Sequence, residues 1–575
     1  MKTDFLNHMR SRNNILLLIS IAISVALLVV NYDKQWDPPD DGAYGHVADR
    51  ILKGEVLNLH VSDLHMGYVN FLNAFVLKIF GSSLVNLRLP LVFLTIVQSI
   101  LVFRILEKHS PEFAFLASTA LSASSFILYP NPTANWYALF IAILLIYSLQ
   151  RIPKENEKRL YIIGVLIMTL FMFRQLTGVI TGIGLFTYLL LEQHDQKLPG
   201  LNIGAKILTF IMFLGLFWYL GNKTTFFTAI IIGGFQVYIL LFMSFLINVD
   251  NSKLWKIIKK ILVGAIIPLI PIVLYHVLNN SLESWFYDVL ILPLGLTELE
   301  FIKSIKYLYY YIFAIENLLN GGSLTENINA LMWILAILVY PVFGAVVLKY
   351  VYSVFKGNKD VHPLPIIALF YGIVSTHYQA PIYFWFSFGL VLCGLIFMIL
   401  EFPVKIRNSI AAMIVFIVCV NAYFNASASH ERNLKEIVLG QKHNIELKYY
   451  PKPIGLWLSQ KDFEEYKAIM EVTERYSDKE GYIFAFPGNA EIYFISERKN
   501  PFRFFSTAFT DINFEKSIEI IQEKKPKVIF YTREDKYNTE YSERMAEYFS
   551  LNYKRISDIG NKEVYVYSVA QDIEN

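Results

Sequence analysis

Long apolar runs fill the first three quarters of the chain, and short alternating runs fill the last quarter. A helix needs about 20 apolar residues to cross a bilayer core. By that measure 14–31, 84–106, 112–130, 134–150, 160–173, 176–191, 206–220, 226–248, 258–278, 328–350, 363–377, 381–401 and 408–424 are expected to span. The stretch 67–80 is amphipathic and too short to cross, so it is expected to lie along the interface. From 429 onward the pattern changes. Tyr482-Ile483-Phe484-Ala485-Phe486, Lys527-Val528-Ile529-Phe530-Tyr531 and Val564-Tyr565-Val566-Tyr567 read as strands, with helices over 514–522 and 540–549. The expected fold is a multi-span α-helical membrane protein of about thirteen helices with a small C-terminal α/β domain. The expected division is 1–428, which contains a first outer loop at 31–83, and 429–575.

Composition agrees with this reading. The 575 residues are 55% hydrophobic and 17% charged, against about a quarter charged in soluble proteins. A net charge of +3 gives no reason to expect a nucleic-acid partner, and the expected surroundings are membrane lipids. The two cysteines, Cys393 and Cys419, sit inside apolar runs, so no disulfide framework is expected. The first run follows Lys2, Arg10 and Arg12 and ends without a small-residue cleavage site, as a permanent span would.

Charge fixes orientation. With the N-terminus in the cytoplasm, the basic connections 151–159, 197–206, 253–260, 349–359 and 405–407 all fall inside, as the positive-inside rule requires. The connections 129–135, 221–225 and 376–380 hold almost no Lys or Arg and fall outside. Thirteen crossings then place the C-terminal domain on the extracytoplasmic side, and the chain in the plasma or inner membrane.

The densest polar cluster follows the first span: Trp36-Asp37-Pro38-Pro39-Asp40-Asp41-Gly42-Ala43-Tyr44. Asp40 or Asp41 is placed to cap a helix over 44–52 that Gly54 would end. Capping does not call for a second acid or a Pro-Pro clamp. The other reading is a general base: a carboxylate beside a second acid, shielded from bulk water, has its pKa raised toward working pH.

The pattern Asp40-Asp41-x-x-Tyr44-x-x-x-Ala48-x-x-Ile51-Leu52-x-Gly54-Glu55, followed by Gly67-Tyr68, Phe80-Gly81-Ser82-Ser83-Leu84 and Leu87-Arg88-Leu89-Pro90, resembles the GT-C glycosyltransferases. Within them it is similar to the branch of the protein O-mannosyltransferases and the lipid A aminoarabinose transferase, the family 39 type. The resemblance covers the N-terminal third by motif and the remainder by topology only. It implies transfer of a sugar from a polyprenyl-phosphate donor to a lipid, glycan or protein acceptor on the outer face. It implies catalysis by Asp40, with Asp41 as its acidic companion and Tyr44 near the substrate. Asp63 and His65 stand just before Gly67-Tyr68, spaced to reach one phosphate or one divalent metal ion, although for His65 an ordinary interfacial histidine is an equal reading.

Further candidates for substrate binding follow. Asn131 and Asn135, in Tyr129-Pro130-Asn131-Pro132-Thr133-Ala134-Asn135-Trp136, stand where relatives carry an aspartate, so their role is confined to hydrogen bonding; a Pro-kinked turn with a belt aromatic is the plainer account. Arg174, in Phe173-Arg174-Gln175, is a lone cation at an outer tip and wants a phosphate or a carboxylate. Asp288, His377 and Tyr378 are candidate lining residues. The turn Phe486-Pro487-Gly488-Asn489-Ala490-Glu491 resembles the outer domain that caps some relatives and is expected to shape acceptor access. Two other classes fit a membrane setting: a transporter or lipid flippase, and a polymerase or ligase using lipid-linked oligosaccharide. The first predicts mid-membrane charges and repeats, whereas the polar groups here gather at one face.

Overall fold

The structure is a computed structural model and describes residues 2–198, 202–296, 306–428, 454–456, 458–510 and 512–567. Among these, ten helices are long and apolar enough to cross a membrane, from Arg12–Asn31 to Val404–Tyr423. The chain is a multi-pass membrane protein. The three other expected spans are also helices, Ala134–Arg151, Lys158–Phe173 and Pro363–Tyr371 with a 3₁₀ turn to Thr376, but lie outside those ten. Helix is the form these runs must take, because lipid offers nothing to unpaired backbone groups.

Two helix starts and one break shape the end of the helices where the first loop lies. Thr133 caps Ala134–Arg151, its hydroxyl accepting from the Asn135 amide. The loop helix Pro38–Leu52 starts earlier than expected, with two prolines at its first positions. Neither Asp40 nor Asp41 caps it; both sit in its first turn, and Asp37 is the N-cap residue. Instead the Asp41 carboxylate reaches back to accept from the Asp37 amide at 3.3 Å. The break is at Arg174, whose extended backbone (φ −148°, ψ 106°) separates Lys158–Phe173 from Gln175–Glu192. Helix Tyr68–Phe80 is amphipathic as expected, burying Val69, Asn70, Asn73, Ala74, Val76 and Leu77 and exposing Phe75, Ile79 and Phe80.

The tail holds a four-stranded sheet in the order β1 (Ile483–Phe486), β2 (Val528–Thr532), β4 (Lys562–Val566), β3 (Lys554–Ile559). β1 and β2 run parallel with Ile483 opposite Val528, and the remaining pairs are antiparallel. β3 was not expected: it is an edge strand, mostly exposed and lacking an apolar run. The boundary expected at 429 lies outside the described residues. The sheet does not stand apart from the segment after the first span, for Ala48, Leu77, Leu84 and Leu87 share one apolar core with Ile454, Ile469, Ile483, Phe494 and Val528.

Candidate active site

Gly42 locks the loop helix to the tail. A Cβ there would lie 2.4 Å from the backbone nitrogen of Glu491, so only glycine allows helix Ala490–Ser496 to lie this close. With the helix seated, its two adjacent carboxylates turn to different surroundings.

Asp41 is fully buried against a fully buried arginine, Arg88, at 2.6 Å. The same guanidinium donates to the carbonyls of Tyr32 at 3.1 Å, Lys34 at 2.5 Å and Gln35 at 3.1 Å. Burial pushes the Asp41 carboxyl up, Arg88 pulls it back, and the balance is about 6. A carboxylate held this way fastens the end of the first span to the loop helix. It is not aimed at a substrate.

Asp40 is half-buried, and its carboxylate accepts from the Asn131 amide at 2.9 Å. Burial is the largest influence on it and the Asp37 charge adds to this, so its pKa is pushed to about 7 against the pull of Lys536. A carboxyl poised there both accepts and releases a proton near neutral pH.

A second set of residues converges on the same space. His65 has its Nδ1 2.7 Å from the Asp63 carboxylate, which also accepts from the His65 amide at 2.7 Å. Its Nε2 is 3.3 Å from the Arg174 guanidinium. Since arginine only donates, the network assigns the proton to Nδ1 and leaves Nε2 as acceptor. Burial pushes Asp63 up, but the contacts with His65 outweigh it and hold the carboxyl low. Arg174 reaches the Tyr383 hydroxyl at 3.5 Å and makes no ion pair among the described residues. The Tyr44 ring lies 5.9 Å from that of His65, and its hydroxyl donates to Thr133 at 3.1 Å. The His377 and Tyr378 rings lie tilted to each other with centres 4.2 Å apart, and Tyr378 meets Tyr383 edge-on at 4.6 Å. Asp40, Tyr44, His65, Arg174, His377, Tyr378 and Tyr383 are all half-buried, whereas their supports Asp41, Arg88, Asp63, Asn131 and Asn135 are buried. The more exposed residues thus stand in front of the buried ones that hold them.

Several expected residues are placed differently. Asp63 and His65 are bonded to each other, and among the described residues no group of three His, Cys, Asp or Glu is placed to hold a metal ion. The donor set does not fit a divalent cation. Asp288 shares the Asn58 side-chain amide with the Asp63 carbonyl, accepting from it at 3.0 Å, and pairs with Arg503 of the tail. Trp136 is buried, donating to the Tyr129 carbonyl at 2.9 Å, rather than standing in an aromatic belt. Asn135 donates to Thr133 at 3.1 Å and so acts on Tyr44 indirectly. Sequence reading assigned nothing to Asp37, Arg88, Tyr383, Lys536 or Tyr537. Arg88 stood in a quoted motif, but its partner is remote in sequence; the tail residues carried no signal.

Residues 67–219 match the family described as dolichyl-phosphate-mannose-protein mannosyltransferase. No curated protein matches the chain. Among solved structures, ArnT from Cupriavidus metallidurans bound to undecaprenyl phosphate is similar over 97% of this chain and 98% of its own, at 10% identity and a TM-score of 0.39. The Archaeoglobus fulgidus oligosaccharyltransferase complex with Zn and sulfate is similar over 90% of this chain and 67% of its own, at 12% identity and a TM-score of 0.43. Similarity at those scores fixes neither fold nor chemistry. The family match over residues 67–219, with the motifs running from Asp40 to Pro90, supports a GT-C superfamily glycosyltransferase.

Proposed function

We propose that this protein transfers a sugar from a polyprenyl-phosphate carrier to a hydroxyl or amine acceptor at the outer membrane face, in one inverting step. The observation that carries this reading is the meeting of Asp40 and Arg174, from separate elements, around Tyr44 and Tyr383. Asp40 takes the acceptor proton. The acceptor attacks the anomeric carbon, the bond from that carbon to the phosphate oxygen breaks, and the electron pair leaves with the lipid phosphate. Arg174 meets the growing charge on that phosphate with a guanidinium that has no carboxylate already bound. His65, oriented by Asp63, positions Arg174. Asp41 and Arg88 fix the turn on which Asp40 stands. The family description, naming a lipid-phosphate sugar as donor, supports this donor class.

The test is mass analysis of envelope glycans and lipid-linked sugars from cells with the gene, without it, and with an Asp40→Asn copy. The expected result is one modification lost and one lipid-phosphate sugar accumulated in both mutant strains. Unchanged glycans in the Asp40→Asn strain, with the protein present in the membrane, would remove the mechanism.

A further inference from the structure

One turn, 129–136, touches two residues of the site. Asn131 donates to the Asp40 carboxylate oxygen Oδ2 at 2.9 Å, and Thr133 accepts from the Tyr44 hydroxyl at 3.1 Å. The turn is held from within. The Asn131 backbone amide and the Trp136 indole both donate to the Tyr129 carbonyl, at 2.8 and 2.9 Å. Asn135 donates to Thr133 at 3.1 Å, and Phe386 meets the Trp136 ring edge-on at 4.7 Å. Prolines flank Asn131 on both sides, and every residue from 130 to 136 is buried.

The Asn131 side chain is only half satisfied. Its nitrogen faces Asp40, but its own Oδ1 is buried with no hydrogen-bond partner among the described residues. An orphan of this kind costs stability, and a leucine of similar shape would leave none on the turn. An ionised carboxylate only accepts, so the side-chain amide presents its nitrogen. On Asp40 the two oxygens differ. Oδ2 is taken by Asn131, and Oδ1 has no hydrogen-bond partner among the described residues.

We propose that Asn131 is a positioning residue for Asp40: it holds Oδ2 as an acceptor and so leaves Oδ1 as the oxygen that takes the proton from the acceptor substrate. The inference rests on Asp40 as base and adds which oxygen reacts and what aims it. A carbonyl oxygen accepts a hydrogen bond better than a hydroxyl oxygen does. The protonated carboxyl therefore keeps its carbonyl at Oδ2, against the Asn131 N–H, and carries its proton at Oδ1. The same bond favours the ionised form, opposing the Asp37 and Asp41 charges on the Asp40 segment. Tyr44 one turn along the helix, Tyr383 from Pro381–Met398, and Lys536 and Tyr537 from the tail also act on this carboxyl. Among the described residues, Asn131 is the one hydrogen-bonded to it. A side chain that carries a buried orphan oxygen and spends its nitrogen on Asp40 serves the site more than the packing.

The experiment is an infrared pH titration of the full-length protein in lipid nanodiscs, the Asp40 carboxyl band being the one lost in Asp40→Asn. In Asn131→Leu the carbonyl stretch of that band is expected to move to higher frequency, because Oδ2 loses its donor. Its midpoint is expected to rise by about one pH unit. Asn131→Asp, of the same shape but able to ionise, should raise the midpoint further. A folded Asn131→Leu protein whose stretch and midpoint match the wild type overturns the proposal. So does a moved midpoint with an unmoved stretch, which would put the proton on Oδ2. If the leucine variant does not fold, an unmoved midpoint in Asn131→Asp overturns it equally. The band reports the proton whether or not Asp40 acts as base, so loss of this inference and loss of the transfer mechanism are separate outcomes.

Discussion

Helix Lys158–Phe173 has an arginine at each end, and the two are treated in opposite ways. Arg159 is buried and paired: its guanidinium meets both oxygens of the buried Glu192 at 3.0 and 3.1 Å, the Tyr188 hydroxyl at 3.1 Å and the Leu149 carbonyl at 3.1 Å. Arg174, just past the other end, has among the described residues only a histidine nitrogen at 3.3 Å and a tyrosine hydroxyl at 3.5 Å. A charge taken out of water without its counter-ion is costly. The first arginine is neutralised from within the chain, which makes it a fastening. The second is left for something that arrives from outside. The same division separates Asp41, closed on Arg88, from Asp40, which has one amide and a charge balance near neutrality.

The sharpest way to break this contrast is at Asp40. Asp40→Asn is expected to lower the transfer rate by about 10²–10⁴, the range for loss of a general base, while the protein becomes more resistant to heat. The sign follows from linkage. The folded carboxyl gives up its proton only near pH 7, far above its ordinary range. Ionisation therefore costs the folded state most above pH 7, and the cost disappears as the pH falls toward 4. The stabilisation seen in Asp40→Asn should fade over that window in melting curves. For the wild type, the rate should climb with pH up to about 7 and then level.

Arg174→Gln is expected to cost about 10²–10³ in rate, the effect of losing one preorganised donor to a developing charge, with little change in melting temperature. Glu192→Ala should do the opposite, destabilising by about 3–5 kcal/mol through an uncompensated buried arginine but leaving the folded fraction active. Replacing both partners, Arg159→Met with Glu192→Leu, should return most of that stability. If Glu192→Ala abolishes transfer in a protein of wild-type melting temperature, the division between the two ends is wrong. The smallest effect is at Asp63→Asn, which removes a charged partner of His65 and should slow transfer about tenfold.

Much of this was legible in the sequence, for identifiable reasons. Spans announce themselves because the bilayer fixes a length and forbids unpaired backbone. Arg174 stood out as a charge interrupting an apolar run, and Asp40 as an acid set between prolines and a helix. The partner of each charge was not visible. Asp41 and Asp40 are adjacent and of one type, yet Arg88, packed in from a distant helix, fixes one and leaves the other. Asp63 and His65 at two-residue spacing fitted a metal or a phosphate equally well on paper, and the fold turns them onto each other. The edge strand Lys554–Ile559 lacks apolar alternation because only one of its residues is buried. Tyr537 sits in an ordinary polar turn, and its packing on Gly488 is visible only in the fold.

The most direct measurement is binding of a polyprenyl phosphate without sugar to the purified full-length protein, comparing Arg174→Gln with the doubly substituted Arg159→Met, Glu192→Leu protein. Arg174→Gln should weaken binding by about thirtyfold, some 2 kcal/mol of charge-assisted hydrogen bonding, and the double variant should bind as the wild type does. Equal binding by Arg174→Gln and wild type, both folded, would contradict the account.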